Sequence, residues 1–333
     1  MLQLGKGDKM IEKIKKLKKV ELHLHLDGSV RIDTAVRLTG KSREELINDM
    51  VASDKCLNLS EYLTKFDLPI SLMQNRGNLV RVARDLVKYL EDENVIYAEV
   101  RFAPMFHTRE GLSYDEVVEA VIEGLNTSNK VKTNLILCMM RGMKREDNLK
   151  TIEVAFKYLG KGVCAIDLAG AEDKYPLNLY EDLFEVVKSK GIPFTIHAGE
   201  NGSYKEVLKA INLGARRIGH GIHAIDSSDT IELIKNNNVL LEICPSSNVQ
   251  TNSISEYRDN PIYKFYKMGV NVSINTDNVT VSNLSISDEY IKLYNTFGLK
   301  EEDFIRINEM AIKGAFLSNE EKQNLLEEIR ESR

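Results

Sequence analysis

Apolar residues recur along this chain in two rhythms. Short runs dense in Val, Ile and Leu read as strands, and between them apolar residues fall at helical spacing with charged residues opposite. The opening run is Val20-Glu21-Leu22-His23-Leu24-His25-Leu26-Asp27-Gly28. Its alternation puts His23 and His25 on one side of a strand and Leu22, Leu24 and Leu26 on the other. Further strands are predicted at 95–102, 133–140, 163–168, 192–196, 217–219, 239–243 and 270–274. Helices are predicted at 79–89, 113–126, 147–158, 177–190, 203–213, 228–235 and 261–268. Ser113 with Glu116 opens the second of these, Gly214 closes the fifth and Pro261 begins the last.

Eight strands, each followed by helical material, predict an α/β fold: a closed eight-stranded parallel (β/α)8 TIM barrel forming one domain over 1–333. Extra helices are expected after the first strand and at the C-terminus. The stretch 31–94 is too long for a simple connection and should elaborate the functional face. An open doubly wound sheet would carry a Gly-rich phosphate turn after its first strand, where this chain has His-Leu-His-Leu-Asp-Gly.

Composition narrows the partners. With 43% hydrophobic and 29% charged residues among 333, the chain has the make-up of a soluble globular protein. A net charge of −5 leaves no basic footprint for nucleic acid. No apolar run is long enough to span a bilayer, and no signal-peptide core is recognised, so no membrane association is expected. The Lys-rich stretch from Lys13 to Lys19, with Ile11, Ile14 and Leu17, is read as a short amphipathic helix entering the first strand. Cys56, Cys138, Cys164 and Cys244 are scattered, form no Cys-x-x-Cys pair and suit a reducing, cytoplasmic setting.

The uncommon polar residues gather at predicted strand ends. His23 and His25 end the first strand, and His197 with Ala198-Gly199-Glu200 ends the fifth. His220 stands between Gly219 and Gly221 after the sixth, and Asp277 follows Thr276 after the eighth. In a parallel barrel these ends converge on one face. Three imidazoles and one carboxylate suit Zn²⁺ or a similar ion with a place left for water, whose pKa the ion would lower toward neutrality. Glu200 would carry a proton to the substrate, and His220 would orient the hydroxide or shuttle its proton. Each piece alone has an ordinary structural explanation; their joint placement points to a site. His107 and His223 are expected to be structural or peripheral.

On these residues the chain resembles the adenosine deaminase family of metal-dependent amidohydrolases. The resemblance runs from about Val20 to about Leu317. Besides the opening run it includes Tyr97-Ala98-Glu99-Val100-Arg101-Phe102-Ala103-Pro104, Asp167-Leu168-Ala169-Gly170 and His197-Ala198-Gly199-Glu200. Ile218-Gly219-His220-Gly221, Cys244-Pro245-Ser246-Ser247-Asn248 and Asn275-Thr276-Asp277 complete it. The resemblance implies hydrolytic deamination of adenosine and 2′-deoxyadenosine, with one Zn²⁺ held by His23, His25, His197 and Asp277. It implies that Glu200 protonates purine N1, that His220 positions the attacking hydroxide, and that Asp277 helps to take the water's proton. Besides His25, the substrate would meet Asp27 at a ribose hydroxyl, the Gly170 amide at purine N3 and Asn278 at N7. Tyr62, Leu63 and Phe66 match a helix that gates the pocket.

Asp277-Asn278 departs from the Asp-Asp of better-known members. An Asn amide donates to N7 without needing the proton a carboxyl would require. Three other readings compete. Adenine deaminases of this scaffold commonly carry Glu at the place of Asp27, and deaminases of modified adenine nucleosides share the same frame. A non-catalytic nucleoside-binding protein should have lost a ligand or the proton carrier, and all are present here. The resemblance leans toward a monomer acting on a small molecule.

Overall fold

The computed structural model describes residues 6–331; residues 1–5 and 332–333, part of the predicted domain, lie outside the described residues. Helix α1 (Lys6–Lys16) leads into β1 (Lys19–His25). The elaboration after β1 resolves into five helices: α2 (Ile32–Thr39), α3 (Arg43–Met50), α4 (Leu59–Leu63), α5 (Asp67–Leu72) and α6 (Arg76–Asp92). Strand and helix then alternate: β2 (Val95–Phe102), α7 (Tyr114–Leu125), β3 (Lys132–Met140), α8 (Arg145–Tyr158), β4 (Val163–Ala169) and α9 (Glu181–Ser189). The second half follows as β5 (Thr195–Ala198), α10 (Tyr204–Asn212), β6 (Arg217–His220), α11 (Ser228–Asn236) and β7 (Leu240–Ile243). Then come α12 (Pro245–Gln250), α13 (Ile262–Lys267), β8 (Asn271–Ile274), α14 (Ile286–Phe297), α15 (Glu301–Gly314) and α16 (Asn319–Glu331).

All strand pairs are parallel, in two four-stranded ladders ordered β1-β2-β3-β4 and β5-β6-β7-β8. Single parallel bridges join the ladders, Ile166 to Phe194 at one seam and Leu24 to Asp277 at the other. At the second seam His25 N–H donates to the Asp277 carbonyl at 2.7 Å, and Asp277 N–H donates to the His23 carbonyl at 3.1 Å. This is a (β/α)8 arrangement whose ladder is interrupted at both seams rather than continuous around the ring. The second bridge also ties the backbones of three prospective ligands to one another.

Capping explains several helix starts. Ser42 with Glu45, Ser113 with Glu116 and Ser285 with Asp288 each satisfy donors reciprocally at the first turn of α3, α7 and α14. Leucines 22, 24 and 26 are fully buried in the main core, as their facing requires. Cys56, Cys138, Cys164 and Cys244 are all buried and free. Among the described residues no helix is long and apolar enough to cross a membrane.

Three local expectations need correction. The fifth strand starts at Thr195 rather than 192, because Pro193 has no N–H to give to a ladder. The helix expected at 177–190 is a short turn at Leu177–Leu179 followed by α9. Tyr180, at φ −126°, breaks it, and its hydroxyl oxygen accepts the Gly142 N–H at 2.7 Å. The amphipathic helix expected through Lys19 ends at Lys16, and Lys19 is instead the fully buried first residue of β1. Its ammonium donates to the carbonyls of Lys15, Leu17 and Glu93 at 3.1, 3.0 and 2.9 Å, and burial pulls its pKa down to about 8.

Candidate active site

The strand ends place the prospective ligands together. His23 lies within β1 and His25 ends it, so both project into the same mouth, while His197 is the third residue of β5. Asp277 sits three residues beyond β8 in the left-handed region at φ 64°, an unusual conformation for a non-glycine residue. One ligand atom from each of His23, His25 and His197 falls within 4.8 Å of the others. Asp277 Oδ1 lies 3.4 Å from both His23 Nε2 and His25 Nε2. His25 Nε2 and His197 Nε2 face each other at 3.4 Å.

These atoms fit a divalent cation. His23 Nε2 is buried without a hydrogen-bond partner, which is costly unless something accepts its lone pair. Burial holds the His25 and His220 imidazoles well below their usual pKa and keeps them neutral, the form that ligates or accepts a proton. Burial alone would raise the Asp277 carboxyl. The imidazoles of His23, His25 and His220 packed around it outweigh that penalty and hold the group well below the usual carboxylate range.

A second layer of carboxylates aims the imidazoles. Glu242 Oε2 lies 2.8 Å from His23 Nδ1, and Asp167 Oδ2 lies 2.8 Å from His197 Nδ1. A proton held at Nδ1 by such a partner leaves Nε2 free to ligate. Both carboxylates are themselves pinned. Arg101 donates to Asp167 at 2.9 Å and to Glu242 at 2.8 Å, and Arg217 donates to Glu242 at 2.7 Å and also to Glu99. Sequence reasoning gave no role to Glu242 and read its strand as near-continuously apolar. The available signal was one carboxylate inside that apolar strand.

Glu200 and His220 face each other across the cluster, with His220 Nε2 at 3.6 Å from Glu200 Oε2. His220 ends β6 at φ 62°, and its Nδ1 is held by the Asn248 amide at 3.0 Å. The Thr251 hydroxyl donates to Glu200 Oε1 at 3.2 Å. Burial, with the Asp277 charge second, raises the Glu200 pKa to about 8, so the carboxyl carries a proton at neutral pH.

A cavity of about 330 Å³ opens over these groups, at the small end of the range for small-molecule sites. His25, Asp27, Gly170, His197, Glu200, Asp277 and Asn278 line it together with Tyr62, Leu63 and Phe66 from the elaboration after β1. Burial raises the Asp27 pKa to about 6. Gly170 adopts φ 104°, and a Cβ there would press on Arg141 at 3.3 Å, so glycine is required before any ligand is considered. One Asn278 amide hydrogen is already committed: Nδ2 donates to the Tyr62 hydroxyl at 3.1 Å, which also meets Ser282 Oγ at 2.9 Å. His107 is buried against the Met73 carbonyl and His223 pairs with Asp226; neither is among the cavity-lining residues.

A cluster of three imidazoles and a carboxylate at the strand-end mouth of a parallel α/β barrel defines a class, the metal-dependent hydrolases. The adenosine deaminase family model matches residues 18–332, and the chain belongs to that family of metal-dependent amidohydrolases. The chain is 41% identical over 329 residues to adenosine deaminase from Clostridium botulinum (strain Okra / Type B1), covering 95% of this chain and 98% of that protein. Among solved structures it is similar to the apo N6-methyl-AMP deaminase from Arabidopsis thaliana, with a TM-score of 0.85 at 26% identity over 96% of this chain and 98% of that one. It also shares the fold of an adenine deaminase from Arthrobacter aurescens, with a TM-score of 0.86 at 24% identity over 95% of this chain and 98% of that one.

Proposed function

We propose that this chain hydrolyses adenosine and 2′-deoxyadenosine to inosine and 2′-deoxyinosine plus ammonia, as a single-domain cytoplasmic enzyme of purine salvage that works as a monomer. His23, His25, His197 and Asp277 would hold one Zn²⁺. When bound, the ion supplies Lewis acidity that brings the ionisation of water near neutral pH.

The chain's own residues do the rest. Glu200 delivers its proton to purine N1, which withdraws electron density from C6 and opens it to attack. His220, neutral and held by Asn248, accepts the proton of the attacking water and orients its oxygen. The second carboxylate oxygen of Asp277 accepts from the Ser247 hydroxyl at 2.6 Å, which leaves Oδ1 facing the imidazoles and the incoming water. After water has added at C6, His220 passes the proton it took to the amine, which leaves as ammonia as the C6–N bond breaks, while the C6 hydroxyl becomes the carbonyl and returns its proton to Glu200. Asp27 takes a ribose hydroxyl, the Gly170 amide meets N3, and the Asn278 hydrogen not given to Tyr62 serves N7.

The observation that carries this reading is the placement of a proton-bearing Glu200 in one small cavity with the imidazole–carboxylate cluster. The fold shared with an adenine deaminase and the likeness to an N6-methyl-AMP deaminase keep those substrates as the second reading. Zinc-loaded enzyme assayed for ammonia release from adenosine, 2′-deoxyadenosine, adenine and N6-methyl-AMP separates them. Nucleosides should turn over fastest; preference for adenine or the nucleotide would refute the assignment. A Glu200→Gln variant as fast as wild type would refute the proton role.

A further inference from the structure

The backbone that carries Glu200 turns around one buried carboxylate. Glu172 lies two residues past Gly170, on the segment leaving β4, and is 4% exposed. Its Oε1 accepts the Gly199 N–H at 2.6 Å. Its Oε2 accepts the N–H groups of Glu200, Asn201 and Gly202 at 3.1, 3.3 and 3.0 Å. Four successive amides thus converge on one side chain, the concave arrangement that backbone offers to an anion. Gly199 makes the inward turn possible at φ 68°. Gly202 is so close that a Cβ there would lie 2.7 Å from Glu172 Cδ and Oε1.

We propose that Glu172 is a positioning residue for the proton transfer: its carboxylate fixes the 199–202 backbone and thereby aims Glu200 at the substrate. The inference rests on the reading that Glu200 carries the proton. Hydrogen bonds to an ionic acceptor are stronger and more directional than neutral ones, so four of them immobilise a turn that has only small and polar residues of its own. Thr251 holds the carboxyl end of Glu200, and Glu172 holds the backbone end. A Gln at 172 keeps one acceptor oxygen but turns an NH₂ group toward amide donors, so the cradle cannot stay intact.

The test is steady-state kinetics with adenosine on the zinc-loaded enzyme, comparing Glu172→Gln, Glu200→Gln and the double variant. Glu172→Gln should lower kcat about 10²-fold with KM within about threefold, the penalty for misplacing a catalytic group by about an ångström. In the Glu200→Gln background the same change should lower residual kcat by less than about twofold, since the group it aims is gone. Gly202→Ala is the second variant: it pushes the same carboxylate off its donors from a half-buried position and leaves every charge in place. It should lower kcat by about tenfold or more. Kcat of Glu172→Gln within about twofold of wild type overturns the proposal, as does an equal fold-loss with and without Glu200. Absence of adenosine turnover in the wild type overturns the functional reading and this inference together. An active wild type, an inactive Glu200→Gln and a fully active Glu172→Gln overturn only the positioning role.

Discussion

Replacing Glu200 by Gln should disable the enzyme and make it more stable. Glu200 is 7% exposed, with one oxygen bonded by Thr251 and the other 3.6 Å from His220. Burial, reinforced by the Asp277 charge, raises its pKa from 4.5 to about 8. Between those values the unfolded chain has released the proton while the folded chain keeps it. The folded state then binds more protons, so stability falls as pH rises through this window. At about 1.4 kcal/mol per pH unit the whole window is on the order of 5 kcal/mol, with about 3 kcal/mol already lost at pH 7. Gln keeps the shape, needs no proton and escapes the loss. Urea unfolding of metal-stripped wild type and variant, followed by far-UV circular dichroism from about pH 5 to 8, reads the difference directly. Stripping the metal matters, because a bound cation would offset the Asp277 charge and add its own pH dependence. The variant's advantage should grow steadily with pH while kcat drops by about 10²-fold or more. A stability difference that stays flat across the window, or a variant less stable at the alkaline end, would refute the reasoning.

Three other outcomes follow from the same geometry. Glu242→Gln breaks a carboxylate that serves His23, Arg101, Arg217 and Thr195 at once, and it should weaken metal binding about 10–100-fold in a chelator competition; unchanged affinity would show that Glu242 does not orient His23. Gly28→Ala puts a methyl 1.7 Å from the Asn278 amide oxygen, so Asn278 must move. A thermal melt should show a loss of about 1–3 kcal/mol, and KM for adenosine should rise; neither changing would mean the backbone relaxes freely there. The four buried thiols, three of them pushed well above the usual thiol pKa by burial, should not react with a disulfide reagent until denaturant is added.

Much of this site was legible because strand geometry is periodic. A His-x-His pair in an apolar strand has only one relative facing, and the parallel repeat brings the strand ends to a common mouth. What could not be read was set by contacts with distant residues. The left-handed backbone of His220 and Asp277 is a case in point: neither residue type requires φ near +60°, so the residue types do not announce it. The break at Tyr180 was hidden for the same reason, since its hydroxyl answers to Gly142 across another loop. Lys19 was grouped with the lysines of the leading helix because the three carbonyls that receive its ammonium come together only in the folded chain.

The carboxylates were the deepest omission, and their burial explains how the fold serves the chemistry. Glu99, Arg101, Asp167, Arg217 and Glu242 are all fully buried within the barrel strands. Removing one partner from such a network strands a charge in low dielectric at about 3–5 kcal/mol, whereas apolar residues of the same volume would pack there without that exposure to risk. Stability therefore does not account for charges at these positions. Orientation does: Asp167 and Glu242 each direct an imidazole, and the two arginines lock those carboxylates against rotation. A barrel floor filled with leucine would hold the same shape but could not dictate which nitrogen of His23 or His197 carries the proton. The interior charges are thus best understood as the rigid base of the centre above them, with Glu172 doing for the Glu200 backbone what they do for the imidazoles.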